Sequence, residues 1–177
     1  MSPFRAYAAD RIYDGDRVLA DHAVVGEDQS ICRVLPLAER PTDLPVDRHP
    51  GCTIIPGLID THMHFMRWQG PMFLAYGVTS VRDTGNDLEW ILQCRDEWPR
   101  QTWPRILSLG PLIDGTPPGH SLVARAVTDI ESAVAAVRET AAAGVDGIKL
   151  YARIRCDPIA GSDLFRCADW LITPEGS

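Results

Sequence analysis

Two histidines, His62 and His64, stand two residues apart at the end of the apolar run 54–59, with Asp60 and Thr61 just before them. Along an extended chain alternate side chains share a face, so both imidazoles point the same way. Two imidazoles converging at a strand end can bind one divalent cation. Neutral imidazole suits zinc and related first-row metals. A bare His-x-His also arises by chance in a chain with five histidines. Here an apolar strand runs straight into the pair, which favours the metal reading. Asp60 is better suited to hold backbone or to orient a ligand than to bind metal itself.

The elements around this pair follow from pattern. Residues 4–9 and 30–37 read as strands, 18–20 and 22–25 as apolar pieces between them, and Asp14-Gly15-Asp16 and Gly26-Glu27-Asp28 as turns. Pro36, Pro41, Pro45 and Pro50 are expected to break regular structure thereafter. A small β unit of this size cannot bury a full core alone. From Cys52 onward strand and helix alternate. Strands are expected at 53–59, 79–81, 105–109 and 147–151, with helical segments at 66–76, 87–97 and 128–143. In the last helix Thr128 and Glu131 have capping-box spacing, Ile130, Val134, Val137 and Ala141 fall on one face, and Gly144 supplies a left-handed stop. Such alternation implies parallel βα units. The 125 residues from 53 onward hold about four units of roughly 31 residues each, half of a (β/α)8 barrel. An open doubly wound sheet remains the alternative on periodicity, but no Gly-rich phosphate loop follows any strand. Trp90, Trp98 and Trp103 read as packing residues, and His22 and His49 as surface residues.

Composition narrows the function classes. The chain has 177 residues, is 45% apolar and carries a formal net charge of −7. An acidic chain of this kind is not expected to bind nucleic acid or an anionic membrane. Charges at Arg5, Asp10, Arg11, Asp14 and Asp16 interrupt any apolar leader, and no run is long enough to span a bilayer. Five cysteines without CxxC spacing read as reduced thiols of a cytoplasmic protein.

The stretch Pro-Gly-Leu-Ile-Asp-Thr-His-Met-His, ending at His64, resembles the first-strand motif of the amidohydrolase superfamily, P-G-[LF]-I-D-x-H-x-H. The resemblance continues in order. Residues 6–25 resemble the family's opening β-sandwich strands. Tyr-Gly-Val-Thr-Ser-Val-Arg-Asp-Thr-Gly at 76–85 resembles the second-strand segment. Gly-Pro-Leu-Ile-Asp-Gly at 110–115 resembles the segment after strand three of imidazolonepropionase-like members, and Ala-Gly-Val-Asp-Gly-Ile-Lys-Leu-Tyr at 143–151 resembles strand four.

The likeness covers residues 5–153 and implies an α/β fold: a partial β-sandwich at 1–51, the first four βα units of a metal-dependent hydrolase TIM barrel at 52–153, and an atypical tail at 154–177. It implies that His62 and His64 bind metal, zinc above all, as one or two ions. It also implies that Lys149 is the strand-four ligand, a lysine carbamylated by carbon dioxide in many members. The spacing of 87 residues between His62 and Lys149 matches three barrel units. For His120 it suggests substrate contact; Arg82 and Asp83, at a strand end facing the mouth, could touch substrate, with a structural pair between them as the plainer reading.

The family completes its site with histidines after strands five and six and an aspartate general base after strand eight. No histidine follows His120. The expectation is therefore a chain that stops matching near Ile154, through truncation or a shifted frame. The activity implied is hydrolysis of an amide or cyclic amide C–N bond in a dipeptide or non-peptide small molecule, in a protein that could form a homo-oligomer, of the imidazolonepropionase-like or prolidase-like kind. Two other readings stand beside it. One is a catalytically incomplete half barrel that binds metal or protein without turnover, and the other an unrelated α/β sheet with a chance His-x-His.

Overall fold

The computed structural model describes residues 4–154 apart from Gln29 and Arg100. Of the tail expected to be atypical, only Ile154 falls within the described residues. The chain divides into two compact units, Met1–Pro56 and Gly57–Ser177. Among the described residues no helix is long and apolar enough to cross a membrane.

The first unit is a five-stranded sheet: β1 (Phe4–Tyr13), β2 (Val18–Leu19), β3 (His22–Glu27), β4 (Ser30–Pro36) and β5 (Val46–Ile54). The order is β2-β1-β3-β4, and β5 pairs with β1. Alternation along β1 and β3 turns Ala6, Ala8, Ala23 and Val25 inward, where Leu35, Leu37, Leu44 and Val46 cover them. At the first turn the Asp14 carboxylate accepts the N–H groups of Asp16 and Arg17. Those same hydrogen bonds hold its carboxyl below the usual carboxylate value.

Two expectations fail here. Pro36 ends β4 and Pro41 and Pro45 lie between strands as expected, but Pro50 does not break regular structure, because β5 runs through it. Pro50 is accommodated where the β1–β5 register shifts between Ala9 and Arg11, and Asp10 accepts the following Gly51 N–H at 3.0 Å. The strand expected at 53–59 is really two. Its first residues end β5, and Pro56, which cannot donate to a ladder, separates them from the next strand.

The second unit carries β6 (Leu58–Met63), a 3₁₀ turn (Arg67–Gln69), α1 (Gly70–Ala75), β7 (Val78–Asp83), α2 (Leu88–Asp96), β8 (Arg105–Ser108), β9 (Leu112–Gly115), β10 (Ala124–Val127) and α3 (Ile130–Ala142). Strands β6, β7 and β8 form a parallel sheet in that order, and β9 pairs in parallel with β10. The architecture is thus mixed α/β with parallel pairing. The pair β9 and β10 was not foreseen. The strand expected at 147–151 reduces to a single parallel bridge from Leu150 to Ile113, flanked by the hydrogen bonds Ile113 N–H to Lys149 O and Tyr151 N–H to Ile113 O, both 2.9 Å.

Two apolar clusters back these strands. Phe65, Val81, Ile91, Cys94 and Ile106 form one, with Met63, Phe73, Trp90 and Trp103 packed on it. Ile113, Val127, Ala133, Ala136 and Val137 form the other, covered by Ile148 and Leu150. The buried stripe of α3 is Ala133, Ala136, Val137 and Thr140, one helical face by spacing, so the stripe is rotated from the one expected through Ile130. Its cap is shifted too. Asp129, not Thr128, is the cap: it is extended, and its carboxylate accepts Ser132 N–H at 2.7 Å while the Ser132 hydroxyl accepts Asp129 N–H at 3.2 Å.

The stop at Gly144 is present, with φ +87°. A Cβ there meets open space, so the cost of a side chain is conformational alone. Gly144→Ala is expected to lower stability by about 1 kcal/mol, read as a lower urea midpoint at unchanged slope.

Candidate metal site

The faces of β6 follow from what its odd residues touch. Met63 and Phe65 both turn into the apolar cluster behind the sheet. His64 therefore turns to the opposite side and is half-buried, while His62 is exposed where the β6–β7 register shifts between Asp60 and Met63. The carboxylate of Asp60 accepts the backbone N–H of His62 at 3.0 Å, which fixes the chain just before the pair.

His64 lies one residue past the end of β6, and a neighbouring loop orients it. Its Nδ1 is 2.6 Å from the carbonyl oxygen of Gly85. A carbonyl only accepts, so this contact requires the proton on Nδ1 and leaves the Nε2 lone pair free. A metal-binding imidazole is commonly held in this way, by an outer-sphere acceptor on the other nitrogen. The approach is close: a Cβ on Gly85 would stand 3.0 Å from His64 Cε1, 3.2 Å from Nδ1 and 2.9 Å from Leu112 Cγ.

Gly85 is in turn set by Asp83, a fully buried carboxylate at the end of β7. Its oxygens accept the N–H groups of Phe65 at 2.6 Å and Gly85 at 3.2 Å, and the Asn86 amide at 2.6 Å. Burial raises the Asp83 carboxyl above the usual carboxylate value, against the opposing pull of these donors and of nearby His64. Asp83 therefore ties both residues flanking the site, Phe65 after His64 and Gly85 beneath it, to one side chain.

Arg82 and Asp83 do not pair. Alternation sends them to opposite faces, Asp83 inward and Arg82 to the side of the histidines. Arg82 Nε donates to the Thr61 carbonyl at 2.8 Å, adjacent to His62. His120 comes to the site from the loop after β9, its ring centroid 5.4 Å from that of His64. Lys149 is half-buried between Ile148 and Leu150, which both pack on the α3 cluster, so it turns away from the helices. Among the described residues no three or more His, Cys, Asp or Glu side chains gather so as to hold a metal ion. What the structure brings together is His64 with His120, and Arg82 with the backbone beside His62.

One further buried carboxylate belongs to this region. Asp114, at the end of β9, is fully buried and accepts three backbone N–H groups. Burial would raise its carboxyl, but the N–H groups of Gly119, Arg153 and Gly115 outweigh burial and hold it below the usual value. The roles of Asp83, Asn86 and Asp114 were missed in the sequence, because their partners are backbone amides that no residue type announces. The remaining described histidines, His22 and His49, lie in the first unit, His22 with its Nδ1 2.6 Å from Ala20 O. Cys32, Cys52 and Cys94 are free thiols.

No family model matches the chain, and no curated protein matches it. Solved structures do. A protein from Bifidobacterium longum provisionally described as a prolidase superposes with a TM-score of 0.76 at 27% identity, over 96% of this chain and 46% of its own. A prolidase complexed with N-methylphosphonate-L-proline gives 0.64 at 26% identity, over 83% and 46%. A Xaa-Pro dipeptidase with methionine in its active site shares the fold, with 0.65 at 23% identity. The chain spans less than half the length of these structures.

Proposed function

We propose that the chain belongs to the amidohydrolase superfamily and that His62 and His64 hold a divalent cation, zinc by the preference of imidazole, in a hydrolase of amide C–N bonds. The observation that supports this is the hydrogen bond from His64 Nδ1 to Gly85 O, which leaves Nε2 free to act as a ligand two residues from His62. The parallel strands from β6 onward are read as the opening units of a (β/α)8 barrel, in which catalytic groups stand at the C-terminal strand ends. His62, His64, Arg82 and Lys149 all occupy such ends or turns.

A divalent cation held by His62 and His64 would supply Lewis acidity to a scissile carbonyl and would acidify water. The protein's own groups do the rest. Asp60 and the Gly85 carbonyl fix the two imidazoles. Lys149 would offer an anionic oxygen instead of a competing cation if its neutral amine took up carbon dioxide with release of a proton. Arg82 spends Nε on Thr61 O, which leaves its two terminal nitrogens to meet a substrate carboxylate in the planar, bidentate manner of guanidinium. His120, its ring centroid 5.4 Å from that of His64, would touch a substrate lying over His64. The general base is assigned to none of the described residues. The substrate class in keeping with the likeness to prolidases is a dipeptide, with a non-peptide amide or cyclic amide as the wider class.

Calorimetric titration of metal-free protein with zinc tests this reading. One or two equivalents are expected, with the heat abolished by a chelator. A chain that takes up no zinc at millimolar concentration would overturn the metal assignment.

A further inference from the structure

Asp114 reaches two separate stretches of chain with one side chain. Its Oδ1 accepts Gly115 N–H at 2.9 Å and Arg153 N–H at 2.7 Å, and its Oδ2 accepts Gly119 N–H at 2.6 Å. A carboxylate offers only acceptors, and all three partners are donors, so the ionised side chain suits this place and an amide does not. The turn it gathers, 115–119, is closed from other sides as well. Arg153 Nη1 donates to Pro117 O at 2.8 Å, and Thr116 Oγ1 donates to Val127 O at 3.1 Å. There is no room for slack. A Cβ on Gly115 would fall 2.2 Å from Arg153 O, and one on Gly119 would touch the Tyr151 ring at 3.3 Å.

The two stretches matter because of what they carry. His120 follows Gly119 directly, and its ring stands over His64. Lys149 lies four residues before Arg153, and its carbonyl is held by the N–H of Ile113, the neighbour of Asp114. Ile113 and Asp114 thus grip the two ends of the segment that bears Lys149. The same carboxylate grips the turn that bears His120.

We propose that Asp114 is a positioning residue, which sets His120 against His64 and registers that loop to the Lys149 segment. This rests on the reading of His62, His64 and Lys149 as a cation site, and adds the device that aligns its later parts. It acts through backbone amides and touches neither cation nor substrate.

Asp114→Asn tests it, compared with Gly144→Ala, which perturbs stability away from the loop. Two readouts separate positioning from plain structural support. One is the nuclear Overhauser contact between the His64 and His120 rings in metal-free protein. The other is zinc affinity, measured well below each variant's unfolding temperature. The amide must turn a donor towards one of three N–H groups, so Asp114→Asn is expected to lose the ring contact and to bind zinc about 10- to 100-fold more weakly. Gly144→Ala should keep both.

If Asp114→Asn only lowers the unfolding temperature, with ring contact and affinity as in Gly144→Ala, the proposal is overturned. If the unsubstituted protein binds no zinc, the metal reading fails by itself, and the ring contact still decides the role of Asp114. Should Asp114→Asn not fold, Asp114→Glu makes the same comparison. It keeps the acceptors but moves them by one methylene, and an unchanged ring contact and affinity there would equally overturn the proposal.

Discussion

His64→Ala is expected to weaken zinc binding by more than about 100-fold, because removing only an outer-sphere partner of a ligand already costs roughly 10- to 100-fold. The effect on the fold should be small by comparison. His64 is half-buried on the face away from the apolar cluster, and its deletion leaves one polar atom, the Gly85 carbonyl, to find water. His62→Ala is expected to match it in affinity, since its exposed ring contributes little to packing. Gly85→Ala supplies the geometric control. Leu112 is buried and cannot retreat, so the added methyl must displace the imidazole from its 2.6 Å contact. Its affinity should fall about 10-fold with both ligands still present. Calorimetry with zinc ranks the three. Affinities unchanged in both alanine variants of the histidines would mean that the cation binds elsewhere.

What could be read in the sequence was whatever a residue type or a spacing announces. The histidine pair, the parallel alternation and the stop at Gly144 are of that kind. The faces of Arg82 and Lys149 also follow, once Val81 and Leu150 are recognised as the residues that turn to the helices. What escaped was set by contacts between distant backbone groups. Strand β5 survives Pro50 because a register shift absorbs it and Asp10 takes up the next amide. The capping box of α3 moved by one residue because Asp129, adjacent to the expected Thr128, is the better acceptor for Ser132 N–H.

The strand expected at 147–151 did not extend for a related reason. Its backbone near Asp146 is engaged by Ser108, through Asp146 N–H to Ser108 O and Ser108 N–H to the Asp146 carboxylate, both 2.8 Å. Only then does it move on to Ile113. Arg95 of α2 adds a donor to the Gly144 carbonyl and to Asp146 from the other side. A turn held by side chains in this way need not form a regular ladder to place Lys149. The same economy recurs at the two ends of the site, where Asp83 and Asp114 each gather backbone amides from more than one segment.

Asp83→Ala is the substitution expected to cost most in stability. The side chain is fully exposed to nothing but protein, and it satisfies Phe65 N–H, Gly85 N–H and one proton of the Asn86 amide. Truncation orphans all three, and a buried donor left unpaired costs about 1–3 kcal/mol. Asn86 retains one partner, the Phe65 carbonyl at 3.1 Å, so its loss is partial. A total of about 3–5 kcal/mol follows, a large share of the roughly 5–15 kcal/mol that holds a domain together. Relief of the buried charge, which burial disfavours, offsets part of the loss and keeps the total at the lower end of what three orphaned donors would cost. Asp83→Asn discriminates between volume and charge. It fills the same space but must present its own N–H₂ to at least one donor, so it is expected to recover only part of the loss. Urea unfolding of both variants checks this. A shift below about 1 kcal/mol for Asp83→Ala would mean that water replaces the carboxylate, and that Gly85 and Phe65 hold the site without it.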